Sequence, residues 1–280
     1  MDIVRLADLQ YARVDDPQRK YDFYIPVDEP SKFPDGMREA DLPVIIFVHG
    51  GAWRSEDKHD HRKLAEELAR RTHACVAVPN YRLSPRTPPL HHPAHAEDVL
   101  TFLTHLHDVG CEFVRDIFSR SRWYLVGHSC SAHMIASIVL NSDGTTPSLA
   151  PPARVLDAIR GVAFSEGIYD IDLLLARWPD YGRWFIHDAF GEREEYSAVS
   201  IARYPLRKPG TRWLLMHSCE DELVDPGQTK AMGAHLQEIH ADQEAVTIDI
   251  GGPTEKHDDV LKGEYYLRSV SRFVLDIERE

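Results

Sequence analysis

Residues 122–137 constrain this chain more than any other segment. A short apolar run, Trp123-Tyr-Leu-Val126, ends in Gly127, and Ser129 follows between His128 and Cys130. An almost wholly apolar stretch then continues to Leu140. The pattern predicts a strand over 123–126, a tight turn, and a helix over 130–140 that is apolar on nearly every side and so buried. A strand that passes into a helix through a sharp turn lifts one small polar side chain to the end of a sheet.

The rest of the chain repeats this alternation. Residues 43–49, 74–78, 161–165, 213–216 and 246–250 read as strands. Residues 58–72, 95–107, 226–240 and 258–277 carry apolar side chains at helical spacing, and 141–153 reads as a loop. The strand runs lack a polar alternate face, as strands covered on both sides do. Strands alternating with helices predict an α/β fold with a mostly parallel central sheet flanked by helices. A length of 280 residues with 43% hydrophobic content suits a single domain over 1–280. One connection, about 167–210, is too long for a simple crossover and holds Tyr169, Trp178, Tyr181, Trp184, Phe185 and Phe190. It reads as a small helical cap insertion over the C-terminal edge of the sheet, with two ordinary surface helices as the alternative.

Charge and cysteine usage narrow the partners. A formal net charge of -13 argues against a nucleic-acid partner, which needs a basic surface. No apolar run reaches the roughly 20 residues of a membrane span, and the residues after Met1 show no apolar leader. The cytoplasm is the expected compartment. Cys75, Cys111, Cys130 and Cys219 are widely scattered, with no Cys-x-x-Cys pair, and are expected as free thiols.

A serine hydroxyl becomes a nucleophile only with a base, a group that orients the base, and donors for the oxyanion. Ser129 is the candidate nucleophile, in a Gly-x-Ser-x-Gly pattern whose second glycine is Ser131 here. Upstream, His49-Gly50-Gly51-Ala52-Trp53 directly follows a strand run. Its glycines let backbone N–H groups approach a developing O⁻, so Gly51, Ala52 and Cys130 are the expected donors. The acid is expected in the turn after 213–216, at Asp221; Asp225, ahead of Pro226, is the alternative and reads as a helix cap. His257, in the loop after 246–250, is the expected base. The order Ser, Asp, His along the chain is that of the α/β-hydrolase fold. The groups His59-Asp-His61 and His91-His92-x-x-His95 lack a remote ligand set; His59, His61, His91 and His92 read as exposed polar residues, and no metal or cofactor is expected.

These segments together resemble the fungal kynurenine formamidases (arylformamidases), a branch of the α/β-hydrolases. The resemblance is carried by His49-Gly-Gly-Ala-Trp53, Tyr81-Arg-Leu-Ser-Pro85, Gly127-His-Ser129, Glu166-Gly-Ile-Tyr-Asp170, Ala189-Phe190, His217-Ser-x-x-Asp221 and His257-x-Asp-Val260. It implies hydrolysis of N-formyl-L-kynurenine to L-kynurenine and formate, with Ser129, Asp221 and His257 as the triad. It implies a small aryl formamide as the partner, for which Trp53, Tyr169, Trp178, Tyr181 and Trp184 are candidate pocket walls. A general carboxylesterase with the same triad is the main rival. A non-catalytic binding protein would be expected to lack a triad member.

Overall fold

The computed structural model describes residues 1–28, 41–110 and 116–280. Eight strands form one sheet in the order β1-β2-β4-β3-β5-β6-β7-β8. They are β1 (Asp2–Gln10), β2 (Lys20–Val27), β3 (Leu42–Val48), β4 (Cys75–Pro79), β5 (Phe118–His128), β6 (Ile159–Ser165), β7 (Arg212–His217) and β8 (Val246–Ile250). The pairs β1–β2 and β2–β4 are antiparallel and the others parallel. The inner strands are buried along almost their whole length, which is why they read as unbroken apolar runs.

Helices cover both faces. On one, α1 (Arg62–Thr72) and α8 (Glu264–Glu278) close a core of Leu64, Leu68, Val76, Val126, Tyr266 and Val270. The other face carries α2 (Ala94–Asp108), α3 (Cys130–Val139), α4 (Ala153–Ala158) and α7 (Gly227–Ile239) over a second, larger core. Every residue of α3 is buried, Ser131, His133 and Ser137 included, as its almost wholly apolar character predicts. No helix among the described residues is long and apolar enough to cross a membrane.

The antiparallel pair β1–β2 is absent from the sequence reading, and its composition explains why. The outer strand β1 is only half-buried, and Asp2, Arg5, Asp8 and Gln10 interrupt its apolar residues. Strand β2 carries Asp22, fully buried, which would argue against a strand interior. Its charge is met by Arg5 at 2.6 Å and by the buried Lys58 at 3.2 Å. Lys58 in turn opens a short 3-10 turn, Lys58–His61, so the expected helix 58–72 starts regular α geometry only at Arg62.

Registry positions the chemistry. Val48 pairs with Gly127, His128 with Ser165, Ser165 with Met216 and His217 with Ile250. Strands β3, β5, β6, β7 and β8 therefore end along one edge, and the loops after them converge there. Between β6 and β7 the chain forms α5 (Ile171–Arg177), a π-helical turn (Gly182–Ile186), α6 (His187–Phe190) and two short 3-10 turns.

Candidate active site

Ser129 stands at the junction of β5 and α3 with φ 56° and ψ -124°. A side chain there is strained unless its surroundings hold it. They do: the Ser129 N–H donates to the Ser165 carbonyl at 3.0 Å, and its own carbonyl accepts from the Ile168 N–H at 3.2 Å. Ser131 adds a third tie. Its hydroxyl accepts from the His128 N–H at 2.7 Å and reaches the Val48 carbonyl at 2.7 Å. The serine in place of the second glycine thus binds the turn to the end of β3.

The loop after β3 is shaped by Gly51, Ala52 and Trp53, at φ 85°, 52° and 58°. A Cβ at Gly51 would collide with the Ser55 carbonyl, so only glycine fits. A Cβ at Gly50 would press on Ser129 Cβ at 3.2 Å, which shows how closely the loop approaches the serine. The Trp53 N–H donates to Cys130 Sγ at 3.3 Å, and the Tyr81 hydroxyl supports the loop from below by donating to the Gly50 carbonyl at 2.6 Å. His49 stacks on Tyr81 at 4.5 Å; burial above all, then His61, pushes its imidazole down to about 4.

Asp221 and His257 meet across the loops after β7 and β8. Asp221 Oδ2 accepts from His257 Nδ1 at 2.8 Å, and Oδ1 accepts the Leu223 and Val224 N–H groups at 2.8 and 3.0 Å. Burial pushes this carboxyl up, but the His257 hydrogen bond and charge and the two amides outweigh it and hold Asp221 below its ordinary value. His257 is 4% exposed, and its N–H donates to the exposed Glu222 at 3.1 Å. Asp225 lies apart from this pair, where Oδ1 accepts the Gly227 N–H at 2.8 Å at the start of α7.

Ser129, His257, Gly51 and Ala52 line one cavity of about 160 Å³, together with Ser55, Glu56, Ile168, Tyr181, Trp184, Phe185, Leu223, Val224 and Asp258. Tyr181 and Trp184 thus stand at the cavity, while three other aromatic candidates do not. Trp53 is fully buried behind the loop against Phe190 and Phe185, at 5.0 and 6.1 Å. Tyr169 is fully buried beside Phe164. Trp178 packs between the Arg177 guanidinium and the Tyr181 ring, at 4.5 and 5.8 Å. Large aromatic side chains near a site are drawn into the core by the area they bury.

Two histidines expected at the surface are buried. His61 pairs with Glu56 at 2.9 Å and stacks on His49, and His92 packs on Phe190 at 5.1 Å. Among the described residues, three groups have donor atoms close enough for a metal ion: first Glu166, His217 and Asp221, second His128, His257 and Asp258, and third Asp8, Asp22 and His59, where Lys58 is already paired with both aspartates. In the first, both His217 nitrogens are engaged, with Thr229 Oγ1 at 2.8 Å and the Val224 carbonyl at 2.9 Å. In the second, His257 Nδ1 is held by Asp221. Cys75 and Cys130 are buried free thiols and Cys219 an exposed one; Cys111 lies outside the described residues.

Glu56, Tyr81, Glu166 and Asp258 were not singled out as functional candidates by sequence reasoning. Tyr81 and Glu166 lie inside the quoted motifs, which is the one signal that could have found them.

The family described as having the alpha/beta hydrolase fold matches residues 45–164. A kynurenine formamidase of Meyerozyma guilliermondii is 32% identical over 200 residues, 69% of this chain and 71% of that protein. A kynurenine formamidase-like hydrolase of Fusarium equiseti is 33% identical over 242 residues, 78% of each. A kynurenine formamidase of Eremothecium gossypii is 28% identical over 81% of this chain and 91% of its own. Among solved structures, esterase B from Lactobacillus rhamnosis superposes with a TM-score of 0.78 at 17% identity, covering 99% of this chain and 88% of its own. That likeness concerns the fold.

Proposed function

The chain belongs to the kynurenine formamidase family of α/β-hydrolase enzymes, and from that premise we propose that Ser129, His257 and Asp221 cleave N-formyl-L-kynurenine to L-kynurenine and formate. The observation that carries the reading is the 2.8 Å Asp221–His257 bond beside a strained serine in the same cavity.

His257 takes the Ser129 proton as the hydroxyl attacks the formyl carbon. Asp221 holds Nδ1 protonated, so Nε2 is the basic nitrogen, and it stabilises the imidazolium that forms. The N–H groups of Gly51, Ala52 and Cys130 receive the oxyanion. His257 then gives its proton to the arylamine as the C–N bond breaks. Water, deprotonated by His257, attacks the formyl-serine and releases formate and the serine.

The cavity suits these roles. It is below the roughly 300–1,000 Å³ of pockets for drug-sized ligands, which favours a compact acyl group. Residues 167–210 act as a cap whose Tyr181, Trp184 and Phe185 receive the aromatic leaving group. The cap is tied to both functional loops: Arg54 donates to the Trp184 carbonyl, and the Tyr181 hydroxyl to the Leu223 carbonyl at 3.0 Å.

The test is a comparison of substrates. Purified protein is expected to form kynurenine from N-formylkynurenine faster than it cleaves short aryl esters, and Ser129→Ala to abolish both. Ester turnover with no kynurenine formed would replace the formamidase by a carboxylesterase.

A further inference from the structure

The strand edge that carries Ser129 and Asp221 carries a third side chain between them. Glu166 directly follows β6, is fully buried, and sits at φ 54°, a backbone region where glutamate is rare. Its N–H donates to the Met216 carbonyl at 3.2 Å, and both carboxyl oxygens lie 3.1 Å from the Ser218 N–H. Oε2 is 3.4 Å from His217 Nε2, and that nitrogen is 3.5 Å from Asp221 Oδ2.

Burial above all pushes the His217 imidazole below its ordinary value, which favours the neutral ring. Its Nε2 faces the Val224 carbonyl, which can only accept, so Nε2 carries the proton; Nδ1 then accepts from the Thr229 hydroxyl. The other titratable groups that face Glu166 are Asp221, Glu255 before His257, Tyr169 and, on α8, Tyr266. None is a cation. Carboxylate oxygens of Glu166 and Asp221 lie within 4.8 Å of each other, and two buried carboxyls this close do not both ionise. Asp221 has His257 and two amides to hold its charge, so the proton stays on Glu166. Burial first, then the neighbouring Asp221, pushes Glu166 up to about 9.

We propose that Glu166 is a positioning residue: a neutral carboxylic acid that donates its proton to Asp221 and holds that carboxylate in line with His257. A carboxylate with each direction occupied neither swings away nor takes the proton from the imidazolium. The inference rests on the reading of Asp221 and His257 as acid and base.

The experiment compares Glu166→Gln and Glu166→Ala with wild type in kcat, KM and the pH profile of kcat/KM. Gln keeps a donor for Asp221 and an acceptor for Ser218, so kcat/KM should stay within about threefold and the acid limb should not move. Ala removes the donor, and kcat should fall about ten- to hundredfold with KM little changed. Infrared difference spectra of wild type against Glu166→Gln at neutral pH should show the carbonyl band of a protonated carboxylic acid, a readout available even if the Ala variant does not fold.

An acid limb displaced to lower pH in Glu166→Gln would mean that a negative charge had been removed, and would overturn the proposal. So would a missing carbonyl band, or a folded Ala variant as active as wild type. Asp221→Ala in the same assay separates the two readings. If it retains full activity, the triad reading falls; if it is inactive and the Glu166 results disagree, only the positioning role falls.

Discussion

The Ser131 hydroxyl lies 2.7 Å from the Val48 carbonyl, joining the first turn of α3 to the last residue of β3. The same oxygen accepts the His128 N–H, so one side chain fastens the serine turn to the loop of Gly51 and Ala52. Ser131→Gly restores the familiar glycine but removes both bonds. It is expected to cost about 1–3 kcal/mol for the buried partners, and about 1 more for glycine in a helix. Calorimetry should show a lower Tm, and kcat should fall as the loop donors lose their position relative to Ser129. Ser131→Ala should lower Tm by less, and equal stability in all three proteins would refute the account.

Asp221 and Asp225 are four residues apart but make different bonds. Asp221→Asn leaves His257 without its carboxylate, and kcat should drop by up to about 10⁴-fold. Asp225→Asn should leave kcat within a few-fold, because its Oδ1 caps the start of α7. Reversal of this order in steady-state assays would move the acid to Asp225.

Trp184 is 46% exposed at the cavity, whereas Trp53 is fully buried beneath it. Trp184→Ala is expected to raise KM for the aryl formamide with little change in Tm. Trp53→Ala empties a core site and should cost about 3–5 kcal/mol. Thermal melts alongside KM values check the pair; a large Tm loss in Trp184→Ala would contradict the placement.

Buried titratable groups bound the stable pH range from both sides. Burial holds His49 and His133 near 4 and His95 near 3, below the ordinary 6.5. Between those values the unfolded chain binds protons that the folded chain refuses, so stability falls as pH drops from 6.5 toward 4. Glu166 acts in the opposite sense. Between its ordinary 4.5 and about 9 the folded chain keeps a proton that the unfolded chain has lost, so its contribution falls as pH rises. The Tm of Glu166→Gln relative to wild type should therefore climb from pH 5 to pH 9, and His133→Gln should flatten the acid-side decline. A pH-independent difference in either variant would refute the assignment.

The features legible in the sequence are those that act over a few neighbouring residues. Apolar runs marked the inner strands β3 to β7, because burial on both faces removes polar alternation, and a shorter mixed run marked the edge strand β8. The order Ser129, Asp221, His257 could be read because each follows a strand end, and strand ends in a parallel sheet share an edge. Other features depend on partners distant in the chain. Strand β2 is stable with Asp22 inside only because Arg5 and Lys58 arrive from elsewhere. Trp53 and Tyr169 became core and Trp184 cavity wall through packing that residue type does not specify. Whether Ser131 would weaken the turn depended on Val48, 83 positions away, accepting its proton. The sequence alone determined the fold class and the placing of Ser129, Asp221 and His257 after successive strand ends. Tertiary structure decided which polar groups were satisfied, and hence that Glu166, an ordinary glutamate on paper, lies buried against Asp221. A side chain's burial and charge follow from what surrounds it in space, and only the folded chain supplies those neighbours.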